Sequence, residues 1–323
     1  MAKLPMHGDI LPLSDDYVLK ALLTHPDAKP ALMDLISAAI VYRVIDVQIR
    51  NNELPATDVD EKNERLDVNC VIDDGSQADI EMQGSRIEEP TAGYHENFLN
   101  KAIYYLTDLH SSQKSKGVKY HELVRTYQVT FSTYTVFPHR KGYITRCGMR
   151  TSDGELISSQ INMIIIELSK LADVLKKPID EMTSLDMWSI FIGLADDPRQ
   201  RKLINEIIER KEVLGVASTV LTAISKDEHE RAKYMSRRKA ETDRISNLLT
   251  AEARGEARGE ARGEARGEAR GEARGEARGE ARGIAIGEDR IRKMAALEMK
   301  ADGMPLDVII KYTKLSKDEI EKL

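Results

Sequence analysis

Three polar residues, Asp67, Glu81 and Gln83, have the types and spacing that metal-dependent hydrolysis requires. Two carboxylates that meet on paired strands repel each other unless a cation lies between them. Mg²⁺ suits that position, because it takes a few carboxylate oxygens and keeps several waters. Bound Mg²⁺ lowers the pKa of a water molecule and neutralises charge that builds up on a phosphodiester. The three residues are therefore candidates for Mg²⁺-dependent hydrolysis of a phosphodiester, whereas most carboxylates on strands simply face solvent.

A β-hairpin is the element that must bring these residues together. The runs 65–72 and 78–83 are rich in apolar residues, and the sequence Asp-Asp-Gly-Ser at 73–76 separates them. Asp-Gly between two such runs is a strong hairpin signal. In a strand, Glu81 and Gln83 point to the same face, which would let Gln83 hold the attacking water or a phosphate oxygen.

The elements around the hairpin predict an α/β or α+β core. Helices are expected from Ser14 and over 30–39 and 93–112, strands over 40–49, 124–137, 143–149 and 161–168, and a polar loop over 54–63. The predicted buried stripe of the helix at 93–112 consists of Phe98, Leu99, Ala102, Ile103, Leu106 and Leu109. Beyond residue 169 the pattern is helical almost to the end.

Several short motifs, taken in order, resemble the Rpn family of recombination-promoting nucleases, also labelled transposases. These motifs are D-x-x-L-K at 16–20, R-x-D-V at 65–68, I-E-x-Q at 80–83, K-x-x-Y-Y at 101–105 and a closing segment at 303–316. The Asp…Glu-x-Gln pattern resembles the E-x-Q variant of the PD-(D/E)xK nuclease superfamily. Each motif is weak alone, and their common order makes the combination specific.

The resemblance implies a PD-(D/E)xK-like restriction-endonuclease core, a mixed sheet flanked by helices, with a C-terminal helical extension. It implies Asp67, Glu81 and the Met82 carbonyl as ligands of Mg²⁺, for which Mn²⁺ would substitute. Gln83 would take the place of the superfamily's lysine. Because glutamine carries no positive charge, another cation must help the transition state or turnover will be slow. The auxiliary candidates are Asp16, as a contact to the metal or its waters, and Lys20 and Lys101, as the cation.

The uneven charge distribution fits DNA as the partner that the resemblance implies. Net charge is −6, yet residues 1–100 hold 8 Lys/Arg against 19 Asp/Glu, whereas residues 101–150 hold 9 against 2. An acidic segment next to a basic one suits a metal site beside a phosphate-binding surface. The candidate phosphate contacts are Lys114, Lys116, Lys119, Arg125, Arg140 and Lys141.

Four regions are predicted along the chain: a nuclease domain at 1–170, a helical region at 171–250, a repeat spacer at 251–283 and a helical module at 284–323. The spacer holds eight copies of Glu-Ala-Arg-Gly. A four-residue period drifts by about 40° per copy on an α-helix, so the alanines form no continuous seam. We interpret this tract as a marginal helix or a charged spacer. We interpret the module at 284–323 as a homo-oligomerisation or regulatory module. A DNA-binding helix-turn-helix fits less well, because the last predicted helix is too short and too acidic for a recognition helix.

Other classes of protein fit the sequence less well. No apolar run reaches membrane-spanning length, and two distant cysteines, Cys70 and Cys147, predict a reduced, cytoplasmic protein. The histidines lack zinc-site spacing. The prediction is a Mg²⁺-dependent DNA endonuclease linked to recombination or to defence against mobile elements and phage. The alternatives are a catalytically weak DNA-binding or regulatory protein with a degenerate core, and an assembly device whose core is only a scaffold.

Overall fold

The computed structural model describes residues 3–6, 8–50, 68–84, 94–113 and 119–323. They fall into two compact units, Met1–Arg238 and Lys239–Leu323. The strands are β1 (Val47–Ile49), β2 (Val68–Ile72), β3 (Gln77–Gln83), β4 (Thr126–Ser132), β5 (Ile144–Arg150) and β6 (Leu156–Glu167). The helices are α1 (Asp16–Leu23), α2 (Lys29–Ile40), α3 (Tyr94–Ser111), α4 (Ser184–Leu194), α5 (Arg201–Arg210), α6 (Glu212–Lys226), α7 (Glu228–Ala301), α8 (Leu306–Thr313) and α9 (Lys317–Glu321).

The first unit is built on one mixed sheet with the strand order β1-β2-β3-β4-β6-β5. β3 runs parallel to β4, and β4 runs parallel to β6. The remaining neighbours, β1 with β2, β2 with β3 and β5 with β6, are antiparallel. The predicted fold class is confirmed: a mixed sheet is flanked by helices and followed by a long helical extension.

One face of the sheet is apolar and packs against α1, α2 and the helices α4 to α6. Alternation along the strands sends Ile80 and Met82 of β3, Phe131 of β4 and Ile166 of β6 into this core. Burial of a side chain of this size contributes about 1.5–3 kcal/mol. The same alternation sends the intervening residues of β3 and β4 to the opposite face, where the polar side chains lie.

Helix α3 lies on that opposite face and contacts β4 and β6. Its residues Phe98, Ala102 and Leu106 pack with Met163 and Ile165 of β6. Two further members of the predicted stripe, Leu99 and Leu109, are also partly or fully buried. Ile103 is half exposed instead, because it lies one residue, or about 100° around the helix, beyond Ala102.

The predicted strand over 40–49 is wrong except at its end. Helix α2 continues to Ile40, and Val41 ends it in the left-handed conformation with φ 57°. The β-branched composition of this stretch indicated a strand, but Leu35, Ile36 and Ala39 are buried at helical spacing. The helix takes only Ile40 of the predicted strand, and residues 41–46 form the connection to β1, in which the amides of Val44 and Ile45 donate to the side chains of Ser37 (3.0 Å) and Asp73 (2.9 Å). The predicted polar loop at 54–63 lies outside the described residues.

Two other strands differ in length from the prediction. β4 ends at Ser132, because the Ser132 side chain donates a hydrogen bond to the Tyr134 carbonyl (2.8 Å) and turns the chain. β6 begins at Leu156, five residues before the expected start at Ile161, and pairs its first residues with the end of β5.

The second unit contains most of α7, followed by α8 and α9. The side chains of the Glu-Ala-Arg-Gly tract are exposed along α7, and the tract contributes nothing to a core. Behind it, Ala296, Ile309, Leu315 and Ile320 form a small cluster, in which the short helices α8 and α9 pack on the end of α7. No helix within the described ranges combines the length and apolar character needed to cross a membrane.

Candidate functional site

The hairpin that holds the predicted site is formed by β2 and β3. Gly75 has φ +84°, which favours glycine, and its amide donates to the Ile72 carbonyl (2.9 Å). Val68 pairs with Ile80, the residue before Glu81. Asp67 lies outside the described residues, as does Arg65.

Eight polar side chains form one continuous surface on β3 and β4, which we call the polar face. In register, Gln77 pairs with Thr126, Asp79 with Gln128, Glu81 with Thr130 and Gln83 with Ser132. Exposure of the β3 members is 6% for Gln77, 1% for Asp79 and 9% for Glu81, and Gln83 is partly exposed. The polar face is therefore deeply buried along most of its length and becomes accessible at the Gln83 end.

The N-terminus of α1 lies at this accessible end. A Cβ on Gly84, the residue after Gln83, would be 3.8 Å from the Ser14 carbonyl oxygen. Asp15 caps α1, because its side chain accepts a hydrogen bond from the Tyr17 amide (3.1 Å). The structure therefore brings the start of the D-x-x-L-K motif to the end of the I-E-x-Q motif.

Asp16 contacts a cation that the sequence analysis did not identify, Arg237 in α7. The Arg237 Nη2 atom lies 3.2 Å from Asp16 Oδ2, and its guanidinium carbon lies 5.2 Å from the Tyr17 ring centroid. The Tyr17 hydroxyl donates to Glu230 Oε2 (2.5 Å). Burial and this carboxylate raise the pKa of Tyr17 to about 12, so it remains a neutral donor. Arg237 is 221 residues away from Asp16 in sequence, and no local pattern could have indicated the contact.

Two auxiliary candidates differ in their surroundings. Lys20 lies in the last turn of α1 and is partly buried. Lys101 is exposed on α3, and its Nζ lies 5.2 Å from the Tyr105 ring centroid. The Met82 side chain packs in the apolar core on the other face of the sheet. The predicted ligand role of Met82 would therefore fall to its carbonyl, and that role stays a prediction.

The predicted phosphate contacts that the structure describes lie at opposite ends of the parallel strands. Arg125 precedes β4, and its carbonyl accepts a hydrogen bond from the Gln77 amide (2.9 Å). Arg125 therefore lies at the Gln77 end of β3, and a strand of this length places that end about 20 Å from Gln83. Arg140 and Lys141 follow β4 and belong to the Gln83 end. Of the other predicted phosphate contacts, Lys119 precedes β4 with Arg125, and Lys114 and Lys116 lie outside the described residues.

Glu167 is a second residue that the sequence analysis missed. It is fully buried and lies in register with Ser132, the partner of Gln83. Its Oε1 accepts from the amides of Val136 (2.7 Å) and Phe137 (3.0 Å), and its Oε2 accepts from Lys170 Nζ (2.9 Å). Glu167 therefore fixes the loop that follows β4 at the accessible end of the polar face.

The donor atoms of the polar face fit a hard divalent cation. They are carboxylate, amide and hydroxyl oxygens, which Mg²⁺ and Mn²⁺ prefer, whereas Zn²⁺ prefers imidazole or thiolate. Cys70 does not offer a thiolate for Zn²⁺, because burial raises the pKa of its thiol to about 12 and its Sγ donates a hydrogen bond to the Ala78 carbonyl (3.3 Å). The described parts of the chain contain no cluster of three His, Cys, Asp or Glu side chains able to hold a metal ion. A carboxylate triad would thus need a residue from outside those parts.

Comparison with known proteins gives one match. A family model described as "PD-(D/E)XK nuclease family transposase" matches residues 13–251, well over half of the chain. The match spans the hairpin and the polar face, and it also spans Arg237, whereas the closing motif at 303–316 lies outside it. No curated protein and no solved structure matches the chain.

Proposed function

We propose that this chain is a Mg²⁺-dependent endonuclease that hydrolyses the phosphodiester bonds of DNA. The premise is that the chain belongs to the PD-(D/E)XK nuclease family transposases. The observation that carries the proposal is the position of Glu81 and Gln83. Both lie on the polar face, and accessibility rises from the first to the second. A carboxylate held below the surface beside a partly exposed amide is suited to metal binding and water positioning.

Each residue has a distinct role in this proposal. Asp67, Glu81 and the Met82 carbonyl would hold Mg²⁺, or Mn²⁺ in its place. When bound, the metal supplies a water of lowered pKa and positive charge beside the phosphate. The Gln83 amide holds the attacking water through a hydrogen bond and sets its direction. For Asp67, support comes from its sequence neighbour Val68, which pairs with Ile80 directly before Glu81.

The positive charge that Gln83 lacks would come from other residues at the same end of the sheet. Arg237 lies at the N-terminus of α1, and Arg140 and Lys141 follow β4. An arginine beside the scissile phosphate stabilises developing charge on its oxygens. We therefore assign Arg237, with Lys20, ahead of Lys101 as the auxiliary cation, and we assign Arg140 and Lys141 to the DNA backbone.

The cellular setting is part of the same proposal. The family description names transposases, which supports a role for the cleavage in DNA recombination. Defence against mobile elements or phage would use the same chemistry. Cys70 and Cys147 are both free thiols, which suits the reducing cytoplasm.

Cleavage of supercoiled plasmid DNA by the full-length protein tests the proposal. We expect nicked and linear products with Mg²⁺ or Mn²⁺ and none in excess chelator. Asp67→Ala should reduce cleavage to background while the circular dichroism spectrum stays unchanged. Cleavage at full rate in chelator, or by the Asp67→Ala protein, would refute this mechanism.

We also propose that the second unit joins two copies of the chain. Ile284, Ile291 and Met294 are exposed and recur on α7 at spacings of seven and three, which is the spacing of a seam between paired helices. The opposite side of α7 already packs on α8 and α9 through Ala296. A second copy presenting the same three residues would cover the apolar stripe symmetrically.

Light scattering of the full chain tests this self-association. The native protein should have the mass of a dimer, and Ile291→Glu should have the mass of a monomer. Ile286→Glu is the matched control, because Ile286 is exposed on α7 about 140° around the helix from Ile291. Equal masses for both variants would rule out the stripe as the interface.

A further inference from the structure

The centre of the polar face contains buried polar atoms that the described parts of the protein do not satisfy. Gln128 is 1% exposed and Thr130 is fully buried. Among the described residues, the amide oxygen and the amide nitrogen of Gln128 have no hydrogen-bond partner, and the Thr130 hydroxyl has none either. A buried polar group left in this way destabilises the fold, so such groups in native proteins mark a bound water or ion.

The two ends of the same strand show that the protein can satisfy such groups. The Thr126 hydroxyl lies 2.9 Å from His110 Nδ1 and 2.9 Å from Gln113 Nε2, both from α3 and the turn after it. The Ser132 hydroxyl donates to the Tyr134 carbonyl. Within β4, the unsatisfied atoms therefore belong to its two central polar residues, Gln128 and Thr130. They lie opposite the two acidic residues of β3, Asp79 and Glu81.

The chemistry of this central group is that of a cation site. Asp79 and Glu81 lie on one face of β3 about 6.6 Å apart along the strand, and Gln128 and Thr130 lie about 4.8 Å across from them. Two carboxylates, an amide carbonyl and a hydroxyl offer oxygen donors alone. Water would satisfy the amide and the hydroxyl, and a divalent cation would in addition interact favourably with the two carboxylates in a buried environment.

We propose that Asp79, Gln128 and Thr130, together with Glu81, bind a second divalent cation, which we call the inner ion. It lies between β3 and β4, toward the buried part of the polar face and away from its accessible Gln83 end. This inference rests on the proposed function only through Glu81, which the two ions share. Asn69 of β2 pairs with Asp79, and Met163 of β6 pairs with Gln128. The inner ion is therefore flanked by a polar residue on the β2 side and by an apolar residue on the β6 side.

Titration of the full-length, metal-free protein with Mn²⁺ tests the inner ion, with the number bound read by calorimetry and by electron paramagnetic resonance. We expect two ions per native chain. Gln128→Met should leave one, and Asp67→Ala should also leave one, because each variant removes a different site. Gln128→Glu adds a charged ligand in place of a neutral one and should tighten inner-ion binding about 10-fold.

Thermal unfolding keeps the test independent of catalysis. Mn²⁺ should raise the unfolding midpoint of Gln128→Glu more than that of the native chain, and that of Gln128→Met less. One Mn²⁺ per native chain, with equal Mn²⁺ affinity in Gln128→Glu, would overturn the inner ion and leave the nuclease proposal intact. Two bound ions without any DNA cleavage would support the inner ion and count against the nuclease.

Discussion

Glu81→Gln is expected to lower the rate of Mg²⁺-dependent DNA cleavage by about 1000-fold, which corresponds to about 4 kcal/mol of lost transition-state stabilisation. Glutamine has nearly the size of glutamate, so the change removes one negative charge and little volume. Glu81 is 9% exposed on the polar face, so bulk water would compensate little for the loss of its proposed metal-binding charge. Single-turnover cleavage of an end-labelled duplex at saturating Mg²⁺ measures the rate.

Glu155→Gln is the matched control for this prediction. Glu155 carries the same charge, but it is exposed in the turn between β5 and β6, beyond the Thr126 end of β4. We expect its cleavage rate to stay within about twofold of native, since surface substitutions of this kind change little. A native rate for Glu81→Gln, or an equal loss in both variants, would remove Glu81 from the site.

The hairpin and its neighbouring helices could be predicted because their signals are local. Asp-Gly at 74–75 fixes the turn, and alternation in β3 separates Glu81 from Ile80 and Met82. Helix α1 also follows from local rules, since Asp15 caps it and Leu19, Leu22 and Leu23 recur on its buried face. These features need no knowledge of distant contacts.

The features that could not be predicted depend on residues far apart in sequence. Arg237 reaches Asp16 only after α6 and α7 have returned the chain to α1. Trp188 is fully buried in the same core as α1 and α2, and its indole donates to Asp34 (2.7 Å) across 154 residues. Burial of Gln128 beside Asp79 follows from the parallel pairing of β3 and β4, whose register no local sequence pattern specifies.

Substitutions at position 83 would distinguish an active nuclease from a degenerate one, because Gln83 lacks the charge that the superfamily's lysine supplies. Gln83 is partly exposed, so a lysine side chain could replace it without burying an ammonium group. Gln83→Lys is expected to raise the single-turnover cleavage rate about 10- to 100-fold, since a positive charge at this point stabilises the transition state. Gln83→Met, which neither hydrogen-bonds water nor carries charge, should lower it about 10-fold or more.

Gln48→Lys provides the control for added charge, because Gln48 is exposed on the edge strand β1, three strands away from β4 in the sheet. An equal gain in both lysine variants would mean that stronger DNA binding, not transition-state stabilisation, raises the rate. Cleavage by Gln83→Lys but not by the native chain would assign the native protein to the catalytically weak, DNA-binding class. If Gln83→Met cleaved at the native rate, Gln83 would have no part in positioning the water, and the cations at the α1 end would have to act with Glu81 alone.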